Sequence, residues 1–183
     1  MRQAQFIVGL LTLIALSRSL YAGPVLDAVH VDGAVDKPGD WTTTRVKSEL
    51  AADLTSISYV SHGQKHVSDA VPLLSLLKAA GVQTQVQMDP NADPKTKNYG
   101  LRLVVDVEGR DGYIVVFSLA ELLADIGNRH VWLALDMDGQ PLTQRDGPMK
   151  LIVPEDAKPV RWVHAVQTIS VVNGAAPTTR PAS

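Results

Sequence analysis

The sequence contains no cysteine. That excludes disulfides, thiolate metal sites, iron-sulfur ligation and cysteine nucleophiles together. An excess of positive charge is also missing: Lys and Arg total 17 against 19 Asp and Glu, a formal net charge of −2. A nucleic-acid partner is therefore not expected. No G-x-S-x-G elbow, G-x-G-x-x-G turn, P-loop or H-E-x-x-H helix occurs, so serine-hydrolase, dinucleotide, nucleotide-phosphate and zinc-protease chemistries have no local signature. What remains is an ordinary globular composition, 45% hydrophobic and 20% charged over 183 residues, the size of one domain.

The first residues read as an export signal rather than as part of a fold. Arg2 opens the chain, Phe6 to Leu16 is uncharged and mostly apolar, and small residues follow around Ala22-Gly23. The run is shorter than the roughly 20 residues a membrane-spanning helix needs, so no membrane span is expected in the mature chain. Arg2 is followed by Gln3, where a twin-arginine signal places two adjacent arginines. These features predict a Sec-type signal over residues 1–22 and a periplasmic or secreted protein that crosses unfolded and acquires any ligand after export. A domain over residues 23–172 and a small, polar, disordered tail over 173–183 complete the expected organisation.

Within the domain, strands are expected over Val25 to Val31, closed by Asp32-Gly33, and around Ile57 and Tyr59, returning through a hairpin turn at His62-Gly63-Gln64. A short helix fits around Val46 and Leu50. A second should open at Val71-Pro72-Leu73, with Leu73, Leu76, Leu77 and Ala80 on its inner face and Gly81 at its end. Gln83 to Asn98 lacks apolar periodicity and reads as an exposed loop. Leu101 to Val107 and Tyr113 to Phe117 flank Gly109-Arg110-Asp111-Gly112 as paired strands. Ser118 and Glu121 form a capping pattern ahead of a helix with Leu119, Leu122, Leu123 and Ile126 inside and Gly127 as its stop. Further strands are expected at Val131 to Leu135, Met149 to Val153 and Val166 to Val172. Strands outnumber helices without strict alternation, which predicts a mixed, strand-rich α+β fold.

Four stretches in this order carry a family resemblance. They are Val71-x-Leu73 with Leu76-Leu77 and Ala80-Gly81; Asp111-Gly112-Tyr113 with Ser118-Leu119 and Glu121; Asp138-Gly139-x-Pro141-Leu142; and Gly147-Pro148-Met149-Lys150-Leu151-x-Val153-Pro154 with Arg161-Trp162-Val163. Together they make the chain similar to the molybdopterin-binding domain of the sulfite oxidase family in a short bacterial form. The resemblance implies that fold, and it implies that Lys150 and Arg161 lie where the family contacts its phosphate-bearing cofactor. His164, beside Trp162, is a third candidate donor to an anion. The cysteine that binds molybdenum in catalytic members is missing, as is the arginine-rich segment around it. Two readings follow. In the first the chain holds no molybdopterin and binds a small anionic ligand or a periplasmic protein partner, with Lys150 and Arg161 converging on one pocket. In the second it is an oxidoreductase that holds molybdopterin without a cysteine ligand.

Other polar groups carry weaker signals. His62 and His66 lie across the expected hairpin turn, and His30 on the first strand adds a third imidazole that could contribute to a zinc or copper site. No carboxylate-flanked metal motif accompanies them, and solvated turn histidines are the simpler reading. Asp106 with Glu108, and Asp136 with Asp138, are spaced as pairs near turns, where carboxylates are usually solvated rather than catalytic.

Overall fold

The computed structural model describes residues 27–84, 91, 93 and 97–174. The expected signal at 1–22, most of the loop at 83–98 and nearly all of the tail lie outside them. Among the described residues no helix is long and apolar enough to cross a membrane.

Strand β1 (Ala28–Gly33) turns Val29 and Val31 inward and His30 outward, the two-residue period of a half-buried strand. Asp32 and Gly33, expected as a turn that closes the strand, are its last two paired residues. Gly33 pairs in parallel with Val171, and a Cβ on Gly33 would come 2.1 Å from the Val171 carbonyl oxygen, so only glycine permits the approach. β2 (Gly39–Thr42) buries Trp41 and leads into α1 (Thr43–Glu49), whose N-terminus is capped by the Thr42 hydroxyl accepting from the Arg45 N–H at 3.0 Å. β3 (Thr55–Ser61) and β4 (Gln64–Pro72) form the expected hairpin. Its turn residues, His62 and Gly63, both have positive φ (51° and 78°), the backbone that matches strand twist. α2 (Leu73–Ala79) follows with Leu73, Leu76, Leu77 and Ala80 buried as the spacing predicts.

A 3-10 turn (Tyr99–Arg102) occupies the expected start of the next strand, so β5 begins at Leu103 and runs to Gly109. β6 (Ile114–Ser118) returns beside it, and α3 (Leu119–Leu122) is a single turn rather than a helix reaching Gly127. The chain there doubles back: Gly127 N–H donates to Ala120 O at 3.2 Å and Arg129 N–H to Glu121 O at 2.7 Å. A Cβ on Gly127 would sit 2.4 Å from Glu121 Cα, and Ile126 is 47% exposed instead of facing the core. Ser118 caps the turn by accepting from Ala120 N–H. Glu121, expected to close the capping box, faces Arg161 at 3.5 Å.

The remaining strands are β7 (Trp132–Ala134), β8 (Asp136–Met137), β9 (Gln140–Pro141), β10 (Lys150–Ile152) and β11 (Val166–Asn173). They build a five-stranded sheet in the order β2-β1-β11-β5-β6, a four-stranded sheet in the order β10-β7-β4-β3, and a β8-β9 ribbon. One apolar core joins the two larger sheets, with Val31, Val105, Phe117 and Ile169 from the first and Val71, Leu133 and Leu151 from the second, closed by α1, α2 and α3. The expected α+β class holds. Ile57, Tyr59, Ala70, Ala134 and Ile152 form a second cluster on the far face of the four-stranded sheet, with Trp132 and Trp162 packed on it. That far face carries the site.

Candidate functional site

Strand register sets the geometry. Tyr59 of β3 lies opposite His66 of β4, Ala70 of β4 opposite Ala134 of β7, and Ala134 opposite Lys150 of β10. Side chains alternate faces along a strand, so His66, Ser68 and Ala70 share the far face with Lys150 and Ile152. Lys150 is only 4% exposed. A lysine is almost never so enclosed unless paired, and its ammonium lies 3.5 Å from Asp146 Oδ1.

The same carboxylate oxygen accepts a short hydrogen bond from His164 Nδ1, and Oδ2 is 3.4 Å from the Thr143 hydroxyl. His164 reaches it because Leu151 and Val163 exchange backbone hydrogen bonds, at 2.8 and 3.1 Å, while Ala165 N–H donates to Asp146 O at 2.9 Å. Burial works against ionisation of Asp146. The His164 hydrogen bond and the Lys150 charge outweigh it and hold the carboxyl below the ordinary carboxylate range.

A cavity of about 170 Å³ opens over these groups. Ser61, His62, His66 and Met137 bound one side; Arg145, Asp146, Lys150 and His164 bound the other. His66 Nδ1 lies 2.8 Å from Asp138 Oδ2, while Asp138 Oδ1 accepts from Val67 N–H at 2.9 Å. Those two bonds, the imidazole's first, hold the Asp138 carboxyl below its usual range. His62 Nδ1 is 3.1 Å from the Ser61 hydroxyl. An adjoining cavity of about 320 Å³ shares Arg145 and His164 and adds Arg110, Asp111 and Gln144. The Arg110 guanidinium donates to Gln144 O at 3.0 Å and Gly147 O at 2.9 Å, fixing the backbone that carries Arg145 and Asp146.

Of the three candidates from sequence, Lys150 and His164 line one cavity. Arg161 does not line it, so the expected convergence of Lys150 and Arg161 is corrected. Arg161 makes two hydrogen bonds to Asp156, at 2.7 and 2.6 Å, approaches Glu121 at 3.5 Å and lies 5.0 Å from the Phe117 ring centroid. Its guanidinium is thus directed at protein carboxylates. His30 is separate as well, 2.6 Å from Asp40 on the outer face of the five-stranded sheet. Among the described residues no group of three His, Asp or Glu is placed to hold a metal. Asp136 and Asp138 accept from backbone N–H groups of Asp69 and Val67, stitching β8 to β4. Asp106 and Glu108 pair with Val116 and Ile114 across β5 and β6 and stay at the partly exposed face. Sequence reasoning missed Arg145 and Asp146. The only local signal was Asp146 four residues ahead of Lys150. A larger cavity, about 650 Å³, is bounded by Thr42, Thr43, Thr143 and Pro148, with the carboxylate of Asp27 and no basic side chain among the described residues that line it.

A family model described as oxidoreductase molybdopterin binding domain matches residues 27–179. No curated protein matches the sequence. Among solved structures, the sulfane dehydrogenase SoxCD from Paracoccus pantotrophus is similar in fold, with a TM-score of 0.52 and 18% identity. The match covers 80% of this chain and 38% of that one. The family match spans most of the sequence: the chain belongs to the oxidoreductase molybdopterin binding domain family.

Proposed function

We propose that this protein is an exported oxyanion-binding module built on the molybdopterin-binding domain fold. The observation that carries the reading is the nearly enclosed ammonium of Lys150 at a small cavity, with Arg145 and three imidazoles around it. With the histidines neutral, the lining residues Arg145, Lys150 and Asp146 sum to one positive charge. Asp146 supports the lysine without cancelling the field of the second cation. A small anion entering there exchanges water for charge-assisted hydrogen bonds in a sheltered site, where such bonds are roughly twice as strong as neutral ones. Export through a Sec-type signal into the periplasm belongs to the same reading and is supported by the apolar run Phe6 to Leu16.

The family implies a molybdopterin, and the donor set here does not fit it. A molybdenum site of the family's kind requires a soft protein sulfur, and the chain has no cysteine. The cavity at Lys150, about 170 Å³, is also below the roughly 300 Å³ at which small-molecule pockets begin, and the larger cavity has no basic side chain among the described residues that line it. No reaction step is derived through that group. The contrasting reading, an oxidoreductase holding the cofactor by phosphate contacts alone, is supported by family membership and by the adjoining cavity at Arg110.

Two measurements separate them. Thermal unfolding of the exported protein should rise with added phosphate or sulfate, and Lys150→Met should abolish that rise. Metal determination on protein purified from its native compartment should find no stoichiometric molybdenum; one molybdenum per chain would replace the module by the oxidoreductase.

A further inference from the structure

We infer that the cavity at Lys150 selects an oxyanion that carries its own proton over a fully deprotonated one of equal shape and charge. The inference rests on the oxyanion reading above and adds the ligand class. Its basis is the orientation of two histidines. His66 and His164 each turn Nδ1 to a carboxylate, Asp138 and Asp146 respectively. An ionised carboxylate can only accept a hydrogen bond, so the single proton of each neutral imidazole sits on Nδ1. Both carboxyls are held below their ordinary range, which keeps them ionised at neutral pH. Nε2 of each ring is then a lone pair with no protein partner among the described residues, on a side chain that lines the cavity.

The cavity is therefore mixed in hydrogen-bonding character. Of the residues that line it, Lys150 and Arg145 can donate to a ligand, while the imidazoles of His66 and His164, with Nδ1 turned to a carboxylate, each keep an acceptor at Nε2. Sulfate presents lone pairs on every side and meets those acceptors with its own lone pairs. Hydrogenphosphate has the same tetrahedral shape and, near pH 8, the same double charge, but directs one O–H at an acceptor. The tautomer of His62 is not determined in this way, because its partner, the Ser61 hydroxyl, can donate or accept.

The test is calorimetric titration of the full chain with potassium phosphate and potassium sulfate at constant ionic strength. At about pH 8, hydrogenphosphate should bind at least about tenfold more tightly than sulfate, the worth of one charge-assisted hydrogen bond gained against one repulsive contact. His66→Gln places an amide that can donate or accept, and should raise sulfate affinity and narrow the difference between the two anions. His164→Gln should act likewise, and His66→Gln keeps the test available should that variant not fold. Equal affinity for both anions at about pH 8 overturns the proton selectivity while leaving an oxyanion site. Binding of neither anion overturns both.

Discussion

Asp146 joins three groups through one buried carboxylate: it accepts from His164, neutralises part of Lys150 and is approached by the Thr143 hydroxyl. Its carboxyl is held below the ordinary value in the fold. The stability this supplies is therefore complete above the unfolded carboxyl's pKa and is lost as the pH falls from there through the lower folded value. Asp146→Asn should cost about 3 kcal/mol near neutral pH, because Lys150 loses its counter-charge. It should also flatten the acid limb of a urea-midpoint profile relative to the parent; parallel limbs would show that another group dominates. Arg161 calls for a different expectation. Its two hydrogen bonds to Asp156 are structural, so Arg161→Ala should lower stability by about 1–2 kcal/mol in denaturant titrations. Calorimetric phosphate affinity should be unchanged, whereas in Lys150→Met it should fall.

Elements here are short, and their tertiary contacts decide where they end. α3 has one turn because the chain after Leu123 folds back on Glu121. The helical stripe expected from Leu119 to Ile126 is thus split: Leu122 is 4% exposed and Ile126 is 47% exposed. Leu122→Ala, like Leu76→Ala in α2, should cost about 2–5 kcal/mol by denaturant midpoint. Ile126→Ala should stay within about 1 kcal/mol. A continuous helix would make the two similar. The β1–β11 contact is stricter. Gly33 has a φ of 84° and no room for a Cβ against Val171, so Gly33→Ala should destabilise by at least about 3 kcal/mol, combining strain with lost pairing.

For the whole molecule, β11 is the connection that matters most. It lies between β1, with which it runs parallel, and β5, so the last described strand completes the centre of a sheet begun by the first. Val166, Ile169 and Val171 also enter the shared core. A chain ending at residue 165 should lose cooperative thermal unfolding and near-ultraviolet circular dichroism together. Retention of both would show that the two sheets can close without it.

Much of the architecture was legible locally. The His62-Gly63 turn, the Leu73, Leu76, Leu77 and Ala80 stripe, and the strands around Val105, Val115 and Ile169 follow from turn chemistry and apolar period, which neighbouring residues specify by themselves. The family and the absent sulfur ligand were also legible, since motif order and composition need no coordinates. β2, β8 and β9 were not, because two to four residues carry too little period to signal a strand without its partner. The site was half legible. Lys150 and His164 stood in recognisable segments, but joining them to His66 required the β3-β4-β7-β10 register. Separating them from Arg161 required the position of Asp156. The sequence by itself determined which charged and apolar groups were available. Only the tertiary structure decided which charges meet, because strand pairing and carboxylate partners are long-range contacts that no local pattern encodes.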